Sequence, residues 1–106
     1  MRKAKVISIN DEKLQVSSGI LRALAHPLRL RILEFIDEND VINVNKIYNT
    51  LNLEQSITSQ HLRILRLAGL VNTKRDGKFI HYQLDYDKLS NAMEAIDSFL
   101  SQEEAN

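Results

Sequence analysis

The sequence of 106 residues contains no cysteine, and this absence removes three kinds of chemistry. Without a thiol there is no disulfide framework, no thiolate metal site and no cysteine redox switch. Long apolar runs are also missing, since none approaches the ~18 residues of a membrane span. The first residues are basic but lack the long apolar region of a secretory signal. We therefore expect a cytoplasmic protein with no membrane partner.

Proline and glycine are scarce, with one proline and three glycines, so each marks a particular break in the chain. The rest of the composition is ordinary for a globular protein, with 43% hydrophobic and 26% charged residues. We expect one domain over residues 1–106, with a flexible basic arm at 1–10 and a frayed tail at 101–106. A chain this short would gain buried core by pairing with a second copy.

The formal net charge is zero, but the charges are segregated along the chain. Five cations and one acid lie between Gln55 and Leu84, whereas six acids and one cation lie between Asp85 and Asn106. A neutral protein divided in this way has a basic face, and the local potential governs docking on phosphates. The alternative is that each cluster only solvates the surface.

Apolar periodicity predicts four helices between Asn10 and about Ala68. The third and fourth are joined by so few residues that they are a helix-turn-helix candidate. Pro27 suits the first turn of the second helix, because its missing N–H would have no partner there. The first helix is predicted from Asn10-Asp11 to about Ala25, the second from Pro27 into the acidic run 37–40, the third from about Val44 to Leu51, and the fourth from about Gln55 to Ala68.

The fourth helix divides into two faces when each residue is turned by ~100° from the last. Thr58, Leu62 and Leu65 stack on one face, which predicts that they point into the core. His61 and Ile57 sit on the boundary. The opposite face carries Ser56, Ser59, Gln60, Arg63 and Leu67.

A charged β-hairpin is predicted directly after this helix. Gly69 ends the helix as a C′ residue, and the strands are predicted over 70–75 and 79–84. Asp76-Gly77 between them is a strong hairpin signal, since both central positions of a type I′ turn need φ > 0. Alternation predicts that Ile80, Tyr82 and Leu84 point inward. Three cations surround the turn: Lys74, Arg75 and Lys78.

The last helix, from about Tyr86 to Leu100, carries an apolar stripe that is wide for a terminal helix on so small a body. This width indicates burial against another subunit, with intramolecular core as the alternative. The residues predicted for a dimer interface are Leu14, Leu21, Leu89, Met93, Ile96 and Leu100.

The order of these elements and several short runs resemble the ArsR/SmtB repressors, over roughly residues 20–84. The run of Ser-x-His-Leu, then Ala-Gly-Leu-Val, then a Gly-centred hairpin is specific in combination. The matching segments are Leu24-Ala-His-Pro-Leu-Arg-Leu-Arg-Ile-Leu33, Gln55-Ser-Ile-Thr-Ser-Gln-His-Leu62, Leu65-Arg-Leu-Ala-Gly-Leu-Val71, Arg75-Asp-Gly-Lys78 and Tyr82-Gln-Leu84.

The resemblance implies a winged helix-turn-helix, mainly α, with about five helices and two antiparallel strands, dimerising through the first and last helices. It implies a homodimer that represses transcription by binding a palindromic operator in double-stranded DNA. Such a protein would be bacterial or archaeal and associated with the nucleoid when bound. No cofactor is expected.

The side chains of the fourth helix suit the major groove, where each base pair shows a distinct donor and acceptor pattern. Gln60 can pair with adenine, and Arg63 can grip guanine or a phosphate. Thr58 falls on the inward face and can bond back to its own helix instead. His61 is interpreted as a packing and orienting residue that also reaches a phosphate. The predicted DNA-contacting residues are Gln55, Ser56, Thr58, Ser59, Gln60, His61, Arg63, Lys74, Arg75 and Lys78.

The metal sites common among ArsR/SmtB proteins are not expected here. The resemblance places one such site, built from cysteines, where this chain has Asn43-Val44-Asn45. A second lies on the terminal helix, which has no histidine in this sequence. His26, His61 and His81 occur in separate elements without ligand spacing and are interpreted as surface, capping or packing residues. The effector stays open, as does a hard metal ion on the acids of the last helix.

A winged helix that binds proteins rather than DNA is the alternative, favoured slightly by the zero net charge. An enzyme is not expected, because the chain has no cysteine nucleophile, no Gly-rich phosphate loop and no Ser/His/acid set that the helices would bring together.

Overall fold

The computed structural model describes the backbone of residues 11–105, and within it the side chains other than those of residues 11, 13, 14, 99 and 102–105. The predicted basic arm over residues 1–10, the side chain of Leu14 and the end of the tail therefore lie outside the described residues. The elements are α1 (Asp11–Leu24), α2 (Pro27–Asn39), β1 (Val41–Asn43), α3 (Val44–Thr50), α4 (Gln55–Leu67), β2 (Val71–Asp76), β3 (Phe79–Leu84) and α5 (Tyr86–Ala105).

Within the described residues, the five predicted helices and the two predicted antiparallel strands, β2 and β3, are confirmed, and a third strand that was not predicted is also present. The sheet has three antiparallel strands in the order β1-β3-β2. The additional strand β1 pairs with β3, so that Ile42 lies opposite Tyr82. Three residues between two helices are too few to show the period-two pattern by which a strand is recognised from sequence. Its pairing partner lies about 40 residues away and was not visible locally.

The helical caps explain where α2 and α3 begin. His26 is the N-cap of α2, and its Nδ1 accepts a hydrogen bond of 3.2 Å from the amide of Leu28. Asn43 caps α3, with its Oδ1 accepting from the amide of Lys46 at 2.9 Å. Each cap satisfies an amide that has no partner within the helix. The prediction of His26 as a capping residue is thereby confirmed.

The link between α3 and α4 is a four-residue turn with one residue in the left-handed region. Asn52 has φ 56°, a conformation that asparagine tolerates better than most residues. The amide of Leu53 donates to the carbonyl of Tyr48 at 2.8 Å, which closes the turn. Helix α4 consequently starts a fixed short distance after α3, as a helix-turn-helix requires.

The core lies beneath α4 and supports it from one side. Thr58, Leu62 and Leu65 are each 0% exposed, which confirms the inward face predicted from the helical angles. The hydrophobic core also includes Ala23, Leu24, Ile32, Leu33, Ile36, Ile42, Ile47, Leu70, Val71 and Leu84. Because these residues come from every element except α5, the orientation of α4 depends on the whole domain. Leu89, Ala92 and Ile96 of α5 pack against the same cluster while remaining partly exposed.

The connection from α4 to the hairpin depends on one glycine. Gly69 has φ +78°, and its amide donates to the carbonyl of Arg66 at 2.9 Å. The amide of Leu70 donates to the carbonyl of Leu65 at 3.0 Å, which completes a Schellman motif. The predicted C′ role of Gly69 is confirmed. The motif turns the chain so that β2 leaves directly from the end of α4.

The hairpin turn differs from the predicted type. Asp76 pairs with Phe79, so the two central residues are Gly77 and Lys78. Gly77 has φ +63°, whereas Lys78 is not among the described residues with positive φ. This pattern belongs to type II′, in which only the first central residue needs φ > 0, and the predicted type I′ turn at Asp76-Gly77 was wrong. A single glycine makes type II′ accessible, because the second position accepts a lysine.

Ile80 does not point into the core as predicted, since 41% of its surface is exposed. Tyr82 and Leu84 on the same face do pack against the core or within it. The hairpin extends beyond the hydrophobic core, so residues near its tip have no core residues to pack against. No helix within residues 11–105 is long and apolar enough to cross a membrane.

Candidate nucleic-acid interface

The outer face of α4 is a polar surface. Gln60 and Arg63 are exposed near its centre, and Gln55, Ser56 and Ser59 are exposed at its N-terminal half. Glu54 is the N-cap residue of α4, and its side chain makes no hydrogen bond to the first amides of the helix. Uncapped amides at the positive end of a helix dipole suit a phosphate. The exposed face therefore carries an amide and a guanidinium in the middle and hydroxyl groups and free backbone amides at the start.

Thr58 does not belong to that surface. Its side chain is 0% exposed, and its Oγ1 donates to the carbonyl of Glu54 at 2.9 Å. The hydroxyl is thus satisfied inside the helix, as the angular argument allowed. Thr58 was predicted among the DNA-contacting residues, but its side chain is buried and is not part of the outer face of α4.

Two apolar side chains adjoin the outer face. Leu67 is 72% exposed, the largest value among the exposed large hydrophobic residues, and Ile57 is 40% exposed. Apolar groups in a DNA-facing surface can contact thymine methyl groups. Leu67 lies in the last turn of α4, on the outward side that the helical angles predicted.

His61 lies on the boundary of α4 and is held by a basic residue from α2. The Nη1 of Arg29 is 3.2 Å from the Nδ1 of His61. The same guanidinium donates through Nε to the carbonyl of Ala23 and through Nη2 to the carbonyl of Arg22, both at 2.8 Å. One side chain of α2 thereby connects the last turn of α1 to α4. This contact was not predicted from the sequence, which indicated only that Arg29 lies near the junction of the first two helices.

The ring of His26 also meets His61, with centroids 4.7 Å apart and planes tilted by 58°. Burial lowers the pKa of His61, and the nearby His26 and Arg29 lower it further. The neutral imidazole is therefore favoured, with Nδ1 free to accept from Arg29. Two histidines predicted to lie in separate elements are brought together by tertiary packing.

The wing carries its three cations on different sides of the sheet. Lys74 pairs with His81 and Arg75 pairs with Ile80 across the hairpin. Because successive side chains of a strand point to opposite faces, Lys74 and Arg75 face apart. Lys78 occupies the turn itself. All three side chains are exposed. Each face of the wing therefore presents one cation from β2 together with Lys78 at the turn.

Helices α1 and α5 form an open apolar groove away from α4. Its volume is about 970 Å³. Leu21, which is 51% exposed, lines this groove, whereas Met93 and Leu100 of α5, 44% and 48% exposed, lie outside its lining. Leu89 and Ile96 partly pack on the core. The groove is lined by Ser17, Ile20, Leu21, Asp85, Asp87, Lys88, Asn91, Ala92, Ala95 and Ile96.

No group of three or more His, Cys, Asp or Glu side chains that could hold a metal ion occurs among the residues that the structure describes. Asn43 stands where the resemblance placed a cysteine ligand, and its side chain is engaged in capping α3. The clustered pair His26 and His61 faces the guanidinium of Arg29, whose charge repels a cation.

A helix-turn-helix whose second helix exposes a polar face, followed by a basic hairpin, defines a winged helix-turn-helix protein. Comparison with known proteins agrees. The family described as bacterial regulatory protein, arsR family, matches residues 26–73, from the cap of α2 into β2. The chain is 33% identical over 86 residues to an HTH-type transcriptional regulator of Methanocaldococcus jannaschii, covering 81% of this chain and 97% of that protein.

Two further relatives extend the similarity. The biofilm growth-associated repressor of Agrobacterium fabrum is 34% identical over 87 residues, covering 82% of this chain and 74% of that protein. The crystal structure of NolR from Sinorhizobium fredii has a TM-score of 0.70 and 32% identity, covering 89% of this chain and 96% of that one. The chain belongs to the ArsR family of DNA-binding transcriptional regulators, and it is not an enzyme.

Proposed function

We propose that the protein is a homodimeric transcriptional repressor that reads a palindromic operator with α4 and grips the phosphates with its wing. The observation that carries this proposal is the exposed face of α4, where Gln60 and Arg63 project from a helix held by a buried core on its opposite side. A helix fits the major groove, and amide and guanidinium groups pair with purine edges.

The shape of the chain supports a dimer. Its Cα radius of gyration is 17.0 Å, whereas a compact chain of this length has about 13 Å. The long axis of 65 Å is consistent with a body from which helices project. Exposed Leu21, Met93 and Leu100 on α1 and α5 would be covered by the same helices of a second copy. Two copies of α4 would then enter successive major grooves, with half-sites about 10 bp apart.

We propose further that this repressor has neither a thiolate nor a histidine metal sensor. The chain has no cysteine, and α5 has no histidine over Tyr86–Ala105. Metal analysis of the purified protein tests this point. A stoichiometric metal, together with a change in DNA affinity when it is removed, would contradict it.

The role of α4 as the recognition helix is tested by measuring binding to a DNA duplex. The duplex is selected from a random-sequence library by its binding to the purified protein. Arg63→Ala and Gln60→Ala should each lower specific affinity by about 5- to 150-fold, because a good base contact contributes ~1–3 kcal/mol. Each should also relax the preference at one base pair of each half-site. Binding is measured by fluorescence anisotropy at fixed salt, and oligomeric state by sedimentation.

Arg66→Ala is the matched control, because it removes the same side chain from the same helix. Arg66 lies about 60° around α4 from Arg63 and nearer the core side. We expect a smaller loss and no change in base preference for this variant. If Arg63→Ala and Gln60→Ala both keep wild-type affinity and preference, α4 is not the recognition helix. The proposed repression would be refuted if binding of the protein to its operator increased transcription of the adjacent gene.

A further inference from the structure

We propose that Arg29 is a positioning residue for α4, joining the last carbonyls of α1 to His61 and so fixing the orientation in which α4 meets DNA. The inference rests on the proposed function, because it assigns Arg29 a part in the same interface. Arg29 itself lies in the first turns of α2 and is part-buried beneath α4, whereas Gln60 and Arg63 lie on the outer face.

Three contacts made by one guanidinium carry the proposal. Its Nε and Nη2 donate to the carbonyls of Ala23 and Arg22 at 2.8 Å each, and its Nη1 lies 3.2 Å from Nδ1 of His61. The two carbonyls belong to the last turn of α1, where they have no partner within the helix. A guanidinium is a rigid planar fork, so the three bonds fix α1 and α4 relative to one another.

The contact to His61 requires an unprotonated Nδ1. Arg29 has only donors, so His61 must accept through Nδ1 and carry its proton on Nε2. The ionisable groups facing the ring are Arg29 from α2 and His26 from the junction before it. The adjoining turns of α4 supply only Ile57, Thr58, Ile64 and Leu65, none of which titrates. All of the ionisable neighbours are cationic or can become so, which favours the neutral ring.

Acidification should therefore release the contact. A protonated His61 presents an N–H toward the guanidinium, and two donors of like charge repel each other. Burial and the neighbouring His26 and Arg29 hold the pKa of His61 below its ordinary value of 6.5. The contact is accordingly intact at neutral pH and is lost only on the acidic side.

The first test compares Arg29→Ala with Arg31→Ala, which removes the same charge from an exposed site on the same helix. The probe is the duplex recovered by selection from a random library. We expect Arg29→Ala to lower affinity about tenfold, as loss of charged hydrogen bonds implies, and Arg31→Ala to change it less than about twofold. Arg29→Lys should recover only part of the loss, because an ammonium cannot reproduce the fork.

The salt dependence of binding separates positioning from direct contact. Losing one phosphate contact lowers the slope of log affinity against log salt by about 0.9, whereas a positioning residue leaves that slope unchanged. Wild-type affinity in Arg29→Ala overturns the proposal, as does a loss of slope of about 0.9 or more per protomer. Circular dichroism confirms that each variant is folded at the assay temperature.

The pH profile tests the role of His61 apart from simple stability. His61→Gln keeps an acceptor for Arg29 and cannot titrate. Its affinity, expressed relative to its own value at neutral pH, should therefore lack the acid-dependent decline that the wild type shows below about pH 6.5. His26→Asn keeps a good N-cap for α2 and should keep the decline. A decline that persists in His61→Gln, or that vanishes only in His26→Asn, overturns the proposed contact.

A measurement without DNA distinguishes failure of this inference from failure of the proposed function. Imidazole nitrogen NMR should show the Nε2–H tautomer for His61 at neutral pH, with that preference weakened in Arg29→Ala. If the tautomer is found but the protein binds no duplex, the proposed function fails and the role of Arg29 toward DNA fails with it. If the protein binds duplex with His61 as the Nδ1–H tautomer, only the positioning role is overturned.

Discussion

Replacing Lys74, Arg75 and Lys78 together with alanine should weaken the salt dependence of DNA binding by an amount that the hairpin geometry sets. The three side chains are exposed and surround the turn at Gly77. Lys74 and Arg75 are consecutive in β2, so the pleat directs them to opposite faces. Whichever face meets the duplex, two of the three cations, including the one in the turn, can reach phosphates.

The magnitude follows from counterion release. Each phosphate neutralised contributes about −0.9 to the slope of log affinity against log salt. Two cations in each of two protomers give a change of about 3.6 in that slope. When salt is raised fourfold, for example from ~50 to ~200 mM, the wild type should lose about 150-fold more affinity than the triple variant.

The assay is fluorescence anisotropy of a selected duplex across that range of salt. Arg31→Ala/Lys88→Ala is the control, because both residues are exposed cations outside the wing and α4. We expect it to change the slope by less than about 0.5. An unchanged slope in the triple variant would remove the wing from the interface. A change near about 5.4 would mean that all three cations of both wings bind phosphates, and the argument from the pleat would fail.

Three other predictions concern the scaffold that holds the interface. Gly69→Ala should lower the free energy of unfolding by about 1 kcal/mol, because a residue with a Cβ is strained at φ +78°, whereas the flexible Lys88 side chain near that Cβ can move aside. Gly19→Ala lies in a helix with nothing within 4 Å of the added Cβ, so it should raise the free energy of unfolding by about 0.5–1 kcal/mol. Equal shifts of the two variants in thermal unfolding would contradict this. Leu65→Ala should cost about 2–5 kcal/mol in denaturant unfolding, since the side chain is 0% exposed, and a cost below ~1 kcal/mol would contradict its place in the core. The pKa of His61 is lower in the folded chain than its value of 6.5 in the unfolded chain, so the unfolded chain binds a proton first as the pH falls. The free energy of unfolding should therefore be highest above about pH 6.5 and decline below it, and the decline should be smaller in His61→Gln. Identical pH dependence of unfolding in the two proteins would refute the shift.

The outward and inward faces of α4 were predictable because they depend on one local rule. A helix turns by a fixed angle per residue, so the burial of Thr58, Leu62 and Leu65 followed from spacing alone. The same rule placed Gln60 and Arg63 outward. The ends of two helices were predictable for the same reason, since the proline after His26 marks the start of α2 and Gly69 marks the end of α4.

Features that needed a distant partner were missed. Strand β1 is three residues long and exists because β3 pairs with it, so no pattern within Val41–Asn43 could reveal it. Ile80 follows the alternation of an inward strand, but it lies where the hairpin has passed beyond the core. Its exposure depends on how far the body extends, which periodicity does not encode.

The order of the helices and the outward residues of α4 could be predicted from the sequence alone, because helical spacing and turn chemistry act over a few residues. The family could be predicted as well, because its short motifs occur in the expected order. The position of Lys78 in the hairpin turn became apparent only from the tertiary structure, since it depends on strand register. The tertiary structure alone also placed Arg29 and His26 against His61, across 32 and 35 residues of chain. Contacts at that separation arise when the core closes, and they determine how α4 is held.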